Sequence, residues 1–191
     1  MPWLVCDYGE VLSLPPPQDE WQLLCQAAGY ENTDDFHDAY WGHRPEYDRA
    51  DLTAPEYWSL VAKAGFDLAN LVELDVAMWL HADRQSVDAA IRAGERGFRL
   101  ALLSNAPVEV AAGIDSRDWL QPFERRFYSC HLRATKPSPQ AYVQVLDELG
   151  ADPGDIWFFD DRPVNVEAAA QLGILAYLYQ SPEQFDLLRA G

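Results

Sequence analysis

The chain predicts an α/β fold, a Rossmann-like and mostly parallel sheet core with an all-helical domain inserted after the first strand. Three observations point to it. Leu4-Val5-Cys6-Asp7-Tyr8-Gly9 is an apolar run that ends in a carboxylate and a turn glycine, the pattern of a buried strand delivering a side chain to its carboxyl end. Residues 18–84 carry helical apolar spacing almost throughout. From Ser86 onward helix and strand patterns alternate, and repeated βα units assemble as a parallel sheet with helices on both faces. The expected division is a core of residues 1–14 and 85–191 and a helical cap of residues 15–84, seated above the end of the first strand.

Taken in order, Leu14-Pro15-Pro16-Pro17 is a stiff break between units. Trp21, Leu24, Cys25 and Ala28 keep helical spacing until Gly29 stops them, and a second helix covers about 33–41. Thr53-Ala54-Pro55-Glu56 combines an N-cap, a first-turn proline and a capping-box glutamate. Asp67 caps a further helix bearing Leu68, Leu71, Val72, Val76 and Trp79. Residues 87–96 form a helix closed by Gly97, and 98–103 a buried strand ending in Ser104-Asn105. A short helix follows Pro107, and 127–132 reads as the third strand. Ser138 caps a helix that Gly150 ends. Residues 156–159 are an apolar strand ending in Asp160-Asp161, followed by a helix over 164–172, a strand over 174–178 and a helix over 182–188.

Acidic residues outnumber basic ones 31 to 14, a formal net charge of −17. That field repels phosphate backbones, so nucleic acid is not an expected partner, and an anionic substrate needs local positive charge. No apolar run approaches the roughly 20 residues that span a bilayer. The N-terminus has no basic leader, so a cytoplasmic protein without a membrane partner is expected. Cys6, Cys25 and Cys130 are odd in number and lack metal-ligand spacing, which reads as buried thiols in a reducing compartment. Nothing in the spacing decides the oligomeric state.

Four segments carry chemistry. Asp7 leaves the first strand as a nucleophile or metal ligand. Ser104 offers a hydroxyl at a strand end, with backbone N–H groups of the next helix start beside it to hold an anion. Lys136, one of only two lysines, stands just before a helix in Thr135-Lys136-Pro137-Ser138-Pro139 and can neutralise both a phosphate and a carboxylate. Asp160 and Asp161 are adjacent carboxylates after a buried strand, a costly pair unless a hard divalent cation such as Mg2+ compensates.

In this order and spacing the segments resemble the haloacid dehalogenase-like (HAD) superfamily, and specifically its subfamily with a helical cap after the first motif. The matching residues are Asp7, Ser104, Lys136 in Lys-Pro-x-Pro-x-x-Tyr, and Asp160-Asp161 with Asn165-Val-Glu-Ala-Ala. The resemblance implies a Mg2+-dependent phosphatase that hydrolyses a small phosphorylated metabolite through an aspartyl-phosphate on Asp7. Asp7, the Gly9 carbonyl and Asp161 would hold the metal, with Asp160 ligating through water or orienting the direct ligands. Ser104, the Asn105 N–H and Lys136 would hold the phosphoryl group. The pattern departs from the family at Gly9, where phosphatases usually carry a second aspartate that protonates the leaving group. That departure opens an alternative, a catalytically weak protein that binds a phosphorylated ligand or partner. A haloacid dehalogenase needs neither metal nor that acid, but it would leave Asp160-Asp161 unexplained. Glu10, the nearest carboxylate, reads as a turn residue pointing away from the site. In the cap, Arg44 and Trp41 are the candidates to grip the leaving group, while most aromatics there, with His37 and His43, read as packing or surface.

Overall fold

Trp3–Cys6 (β1) is buried at all four positions, and a strand buried on both faces belongs in the middle of a sheet. The computed structural model, which describes residues 1–189, places it there. Arg99–Ser104 (β2), Phe123–Tyr128 (β3), Ile156–Asp160 (β4) and Leu175–Leu178 (β5) complete a sheet of order β3-β2-β1-β4-β5, parallel throughout. Side chains alternate across it. Leu4, Cys6, Leu100 and Leu102 pack to one face, while Trp3, Val5, Ala101, Leu103 and Phe158 pack to the other.

Between β1 and β2 the chain forms α1 (Gln18–Ala27), α2 (Thr33–Gly42), α3 (Arg44–Asp48), α4 (Ala54–Val61), α5 (Leu68–Met78) and α6 (Arg84–Glu95). The later helices are α7 (Val108–Asp115), α8 (Ser129–Leu132), α9 (Pro139–Leu149), α10 (Pro163–Ala170) and α11 (Glu183–Asp186). Helices α6, α7 and α11 cover the Leu4 face, and α9 and α10 the Trp3 face. Helices α1 to α5 enclose an apolar cluster of their own, with Leu24, Phe36, Tyr40, Tyr57, Trp58, Leu71 and Met78 fully buried. The chain leaves for this unit and returns from it at one neck. Ser13 pairs with Ala82 as an antiparallel bridge, the Leu14 N–H donates to the His81 carbonyl at 2.7 Å, and the Asp83 N–H donates to the Leu12 carbonyl at 2.9 Å. No helix among the described residues is long and apolar enough to cross a membrane.

Several helix ends follow the sequence reading. The Glu56 carboxylate accepts from the Thr53 N–H and hydroxyl at 2.8 and 2.7 Å, and Asp67 accepts from the Ala69 and Asn70 N–H groups. Gly150 ends α9 in the left-handed conformation at φ 57°. Other expectations are corrected. The third strand is Phe123–Tyr128, not 127–132, and Ser129–Leu132 is a helical turn. As an edge strand it buries Phe123, Phe127 and Tyr128 while Glu124 and Arg125 face solvent, so its charges hid it. Ser138 occupies the cap position of α9 as expected but makes no side-chain cap bond, and Pro139, whose fixed φ and missing N–H suit a first turn, opens the helix. Helix α6 starts three residues early because Asp83 caps it, accepting from the Gln85 N–H at 3.0 Å.

Arg44 is buried inside the helical unit with its charge paired twice. Its Nε donates to Asp48 Oδ1 at 2.8 Å, and its Nη1 donates to Asp75 Oδ1 and Oδ2 at 3.0 and 3.2 Å. The Tyr40 hydroxyl donates to Asp75 at 2.6 Å and closes the network. Removing the cation from such a group strands two buried carboxylates. Arg44→Met, which keeps most of the stem volume, should cost about 3–5 kcal/mol in urea unfolding; a loss below about 1 kcal/mol would contradict the pairing.

Candidate active site

Because β1 lies between β2 and β4, the side chains at their carboxyl ends are neighbours. These are Asp7, Ser104 and Asp160 with Asp161, grouped where open α/β sheets bind ligands. Lys136 joins them from the segment between α8 and α9. Its Nζ lies 2.7 Å from Asp7 Oδ1 and 2.6 Å from Asp160 Oδ2, with the lysine side chain 1% exposed. The lysine is itself positioned. Asn105 Nδ2 donates to the Lys136 carbonyl and the Lys136 N–H donates to Asn105 Oδ1, both at 2.9 Å. Asn105, expected at the phosphate site through its N–H, therefore spends its side chain on fixing the lysine loop. Asp160 Oδ1 accepts from Asn165 Nδ2 at 2.8 Å and from the Arg162 N–H at 2.9 Å.

Asp7 Oδ2 and the Asp161 carboxylate stand outside this web. Asp7 Oδ1 also accepts from the Tyr8 N–H at 2.6 Å, but Asp7 Oδ2 accepts no hydrogen bond among the described residues. The Asp161 carboxylate likewise takes none of the bonds that hold Asp160. Of the backbone donors after β2, the Ala106 N–H is already given to Ser129 Oγ at 2.9 Å, which removes one of the N–H groups expected to cradle an anion.

The electrostatics follow from burial. Burial raises the Asp7 carboxyl to about 8, Lys136 works against that rise, and the Asp160 and Asp161 carboxylates add to it. Burial would raise Asp160 as well, but the Lys136 ammonium and the Arg162 and Asn165 donors outweigh it and hold the group below its ordinary value. Asp161 is raised by burial, by Asp160 and by Glu10. Burial disfavours the Lys136 ammonium, and the facing Asp7 and Asp160 more than compensate. One ammonium thus faces three carboxyl groups, and either a proton on Asp7 or a further cation balances them. Asp7, Asp160 and Asp161 offer oxygens within 4.8 Å of one another, an all-carboxylate donor set that fits a hard divalent ion such as Mg2+.

Gly9 lies in the turn that the sequence reading expects, and Glu10 departs from that reading. A Cβ at Gly9 meets nothing within 4 Å, and its φ is not in the left-handed range. Neither space nor backbone demands a glycine there. The left-handed turn falls instead on Glu10, at φ 54°. That turn brings Glu10 into the cavity wall beside Asp161 rather than pointing it away.

A cavity of about 470 Å³ opens above these groups, within the ordinary size of a small-molecule site. The core supplies Asp7, Ser104, Asn105, Lys136 and Asp161 to its wall, and the helical unit supplies His37, Trp41, Arg44 and Asp48. Trp41 is 41% exposed and meets the Trp79 ring edge-on at 6.2 Å. Arg44 lines the cavity as expected, yet Asp48 and Asp75 take up its charge. His37, expected to be surface or packing, lies on the wall against Trp41. Asp48 and Trp79 were not singled out by sequence reasoning, and Asn105 and Asn165 were placed at the site without their anchoring roles. Only the i,i+4 spacings of His37–Trp41 and Arg44–Asp48 offered a signal.

A family model for haloacid dehalogenase-like hydrolases matches residues 18–173. Flavin mononucleotide hydrolase 1 of Arabidopsis thaliana is 37% identical over 57 residues, 30% of this chain and 23% of that protein. Bifunctional epoxide hydrolase 2 of Mus musculus is 31% identical over 104 residues, 50% of this chain and 18% of that protein. The matches thus span about a fifth of these relatives. Among solved structures, the HAD family enzyme bt-2542 of Bacteroides thetaiotaomicron, in complex with magnesium and inorganic phosphate, superposes with a TM-score of 0.79 at 17% identity, covering 94% of each chain. The L-2-haloacid dehalogenase RSc1362 gives a TM-score of 0.68 at 15% identity, over 91% of this chain and 84% of that one. At these identities the likeness is one of fold.

The raised Asp7 sets a pH dependence. Between its ordinary 3.8 and about 8 the folded chain holds a proton that the unfolded chain has released, so stability from this group falls as pH rises through that window. A cation competes with that proton. Mg2+ at one fixed concentration, about a hundred times its Kd at pH 8, should therefore raise Tm by about 5–10 °C near pH 8 and by clearly less near pH 5.5, where the apparent Kd is higher. Equal shifts at both pH values, followed by thermal denaturation, would count against the carboxylate set as the cation site.

Proposed function

The chain belongs to the haloacid dehalogenase-like hydrolase family, and from that premise we propose that it is a Mg2+-dependent phosphatase acting on a small phosphorylated metabolite in the cytoplasm. The observation that carries the reading is the buried Lys136 ammonium held between Asp7 and Asp160, beside a free Asp7 oxygen. A similar fold that binds magnesium and inorganic phosphate adds support. In this reading residues 15–84 are a cap domain over a core of residues 1–14 and 85–191, of which residues 190–191 lie outside the described structure.

Asp7, Asp160, Asp161 and the Gly9 carbonyl would hold Mg2+, which when bound supplies positive charge against the phosphoryl oxygens and the clustered carboxylates. Asp7 Oδ2 attacks phosphorus as the ester P–O bond breaks, giving an aspartyl-phosphate and the leaving alcohol. Lys136 balances the charge that gathers on Asp7 and the transferring group, and Ser104 donates its hydroxyl to a phosphoryl oxygen. Water then attacks the aspartyl-phosphate, releasing phosphate and restoring the carboxylate. No side chain at position 9 delivers a proton, so the departing oxygen takes it from water. Gly9 also favours a second reading, a catalytically weak chain that binds a phosphorylated ligand or partner protein. A metal-free dehalogenase is less well supported, because it leaves Lys136 as the one cation paired with three clustered carboxylates among the described residues.

Phosphate release from a panel of metabolite monoesters and p-nitrophenyl phosphate tests the proposal. Activity should vanish with EDTA and in Asp7→Asn; release no higher than that variant's across the panel would move the case to the binding role. Because the Gly9 position is open, Gly9→Asp should raise turnover of alkyl phosphates by about 10²–10⁴-fold and of p-nitrophenyl phosphate much less, since nitrophenolate leaves without a proton. Equal gains on both would show that the missing acid is not what limits the chain.

A further inference from the structure

The core wall of the cavity and its cap wall differ in charge. On the core wall, Lys136 and a divalent cation would answer the carboxylates. On the cap wall the cation present is Arg44, and it faces two carboxylates, Asp48 at 2.8 Å and Asp75 at 3.0 Å. The three side chains are buried together and sum to a charge of −1. Asp48 forms part of the cavity wall, so that surplus is presented to whatever lies against the cap. Around it the wall is aromatic, with Trp41 and Trp79 edge to face and the Arg44 guanidinium 5.8 Å from the Trp79 ring centre. Arg162, the remaining arginine on the wall, follows Asp161 directly and belongs to the core wall.

We infer that this cap wall selects monophosphates whose leaving group is uncharged or cationic and presents a flat or apolar face, and turns away esters carrying a carboxylate or second phosphate in that half. The inference rests on the phosphatase reading and names its substrate class. A second anion on the substrate would meet a guanidinium already paired, with a surplus carboxylate beside it. Rejecting a competitor by an unmatched like charge is a general route to specificity, and such juxtapositions are strongly unfavourable. The aromatic edges suit the face of a ring, whether a planar aryl group or the C–H face of a sugar.

Three aryl esters of one size test this: phenyl phosphate, 4-carboxyphenyl phosphate and 4-(aminomethyl)phenyl phosphate. Aryl groups leave readily, so the empty position at Gly9 does not blur the comparison. With Mg2+, kcat/KM for the carboxylated ester should be at least about tenfold below that for phenyl phosphate, and the aminomethyl ester should equal or exceed phenyl phosphate. Asp48→Asn, which removes the surplus charge, should shrink the carboxylate penalty to within about threefold while leaving phenyl phosphate the better substrate of the two. A carboxylated ester cleaved as well as phenyl phosphate overturns the inference. So does a preference for it that Arg162→Gln abolishes, which would make Arg162 the partner of a substrate anion. If no ester is turned over, calorimetric titration of the same three esters with Mg2+ separates the two failures. The same order of affinities keeps the charge selection and removes the phosphatase reading, whereas equal affinities or no binding removes the selection as well.

Discussion

A single ammonium, Lys136 Nζ, sits between the carboxylates of Asp7 and Asp160 and is almost wholly screened from water. Three strand ends converge at this point, and without it they would repel. Burial alone would drive these acids neutral. The lysine keeps Asp160 ionised, and that carboxylate then orders the turn after β4 by accepting from Arg162 and Asn165. Asn105 fixes the lysine from the β2 side. The loops after β2 and β4 and the segment before α9 are therefore bound into one polar unit, whose residual negative charge is an affinity for a cation.

The helical unit repeats the device with a different outcome. Arg44 between Asp48 and Asp75 is again one cation facing two buried carboxylates. There the set is closed by the Tyr40 hydroxyl and packed among aromatic rings. Buried ion groups of this kind contribute little net stability against an apolar alternative but are costly to break. Here they fix the charge on two parts of one cavity wall, Lys136 and Asp7 from the sheet core and Arg44 and Asp48 from the helical unit.

Most of the fold was legible because buried parallel strands are continuous apolar runs and helix ends carry glycine and capping residues. The edge strand β3 was not, since Glu124, Arg125 and Arg126 place three charges in a row and only Phe123, Phe127 and Tyr128 face inward. The core of the site was legible for a related reason. A carboxylate at the end of an apolar run is costly unless it works, and Asp7 and Asp160-Asp161 both have that form. The anchoring roles of Asn105 and Asn165 arise only when loops far apart in sequence meet, so no local pattern announces them. Gly9 read as a turn glycine and lies in that turn, yet the left-handed residue there is Glu10. Arg44 read as a free cation because the carboxylate that completes its pairing, Asp75, is 31 residues away.

The neck between the two units has an evolutionary consequence. Its outgoing and returning strands lie hydrogen-bonded side by side at Ser13 and Ala82, with Leu14 joined to His81 and Asp83 to Leu12. A segment whose ends already touch can be lengthened, shortened or exchanged without pulling on the scaffold that holds them. With its own buried core, the stretch in between can be exchanged at the neck, replacing one wall of the cavity while the Lys136–carboxylate cluster is inherited intact.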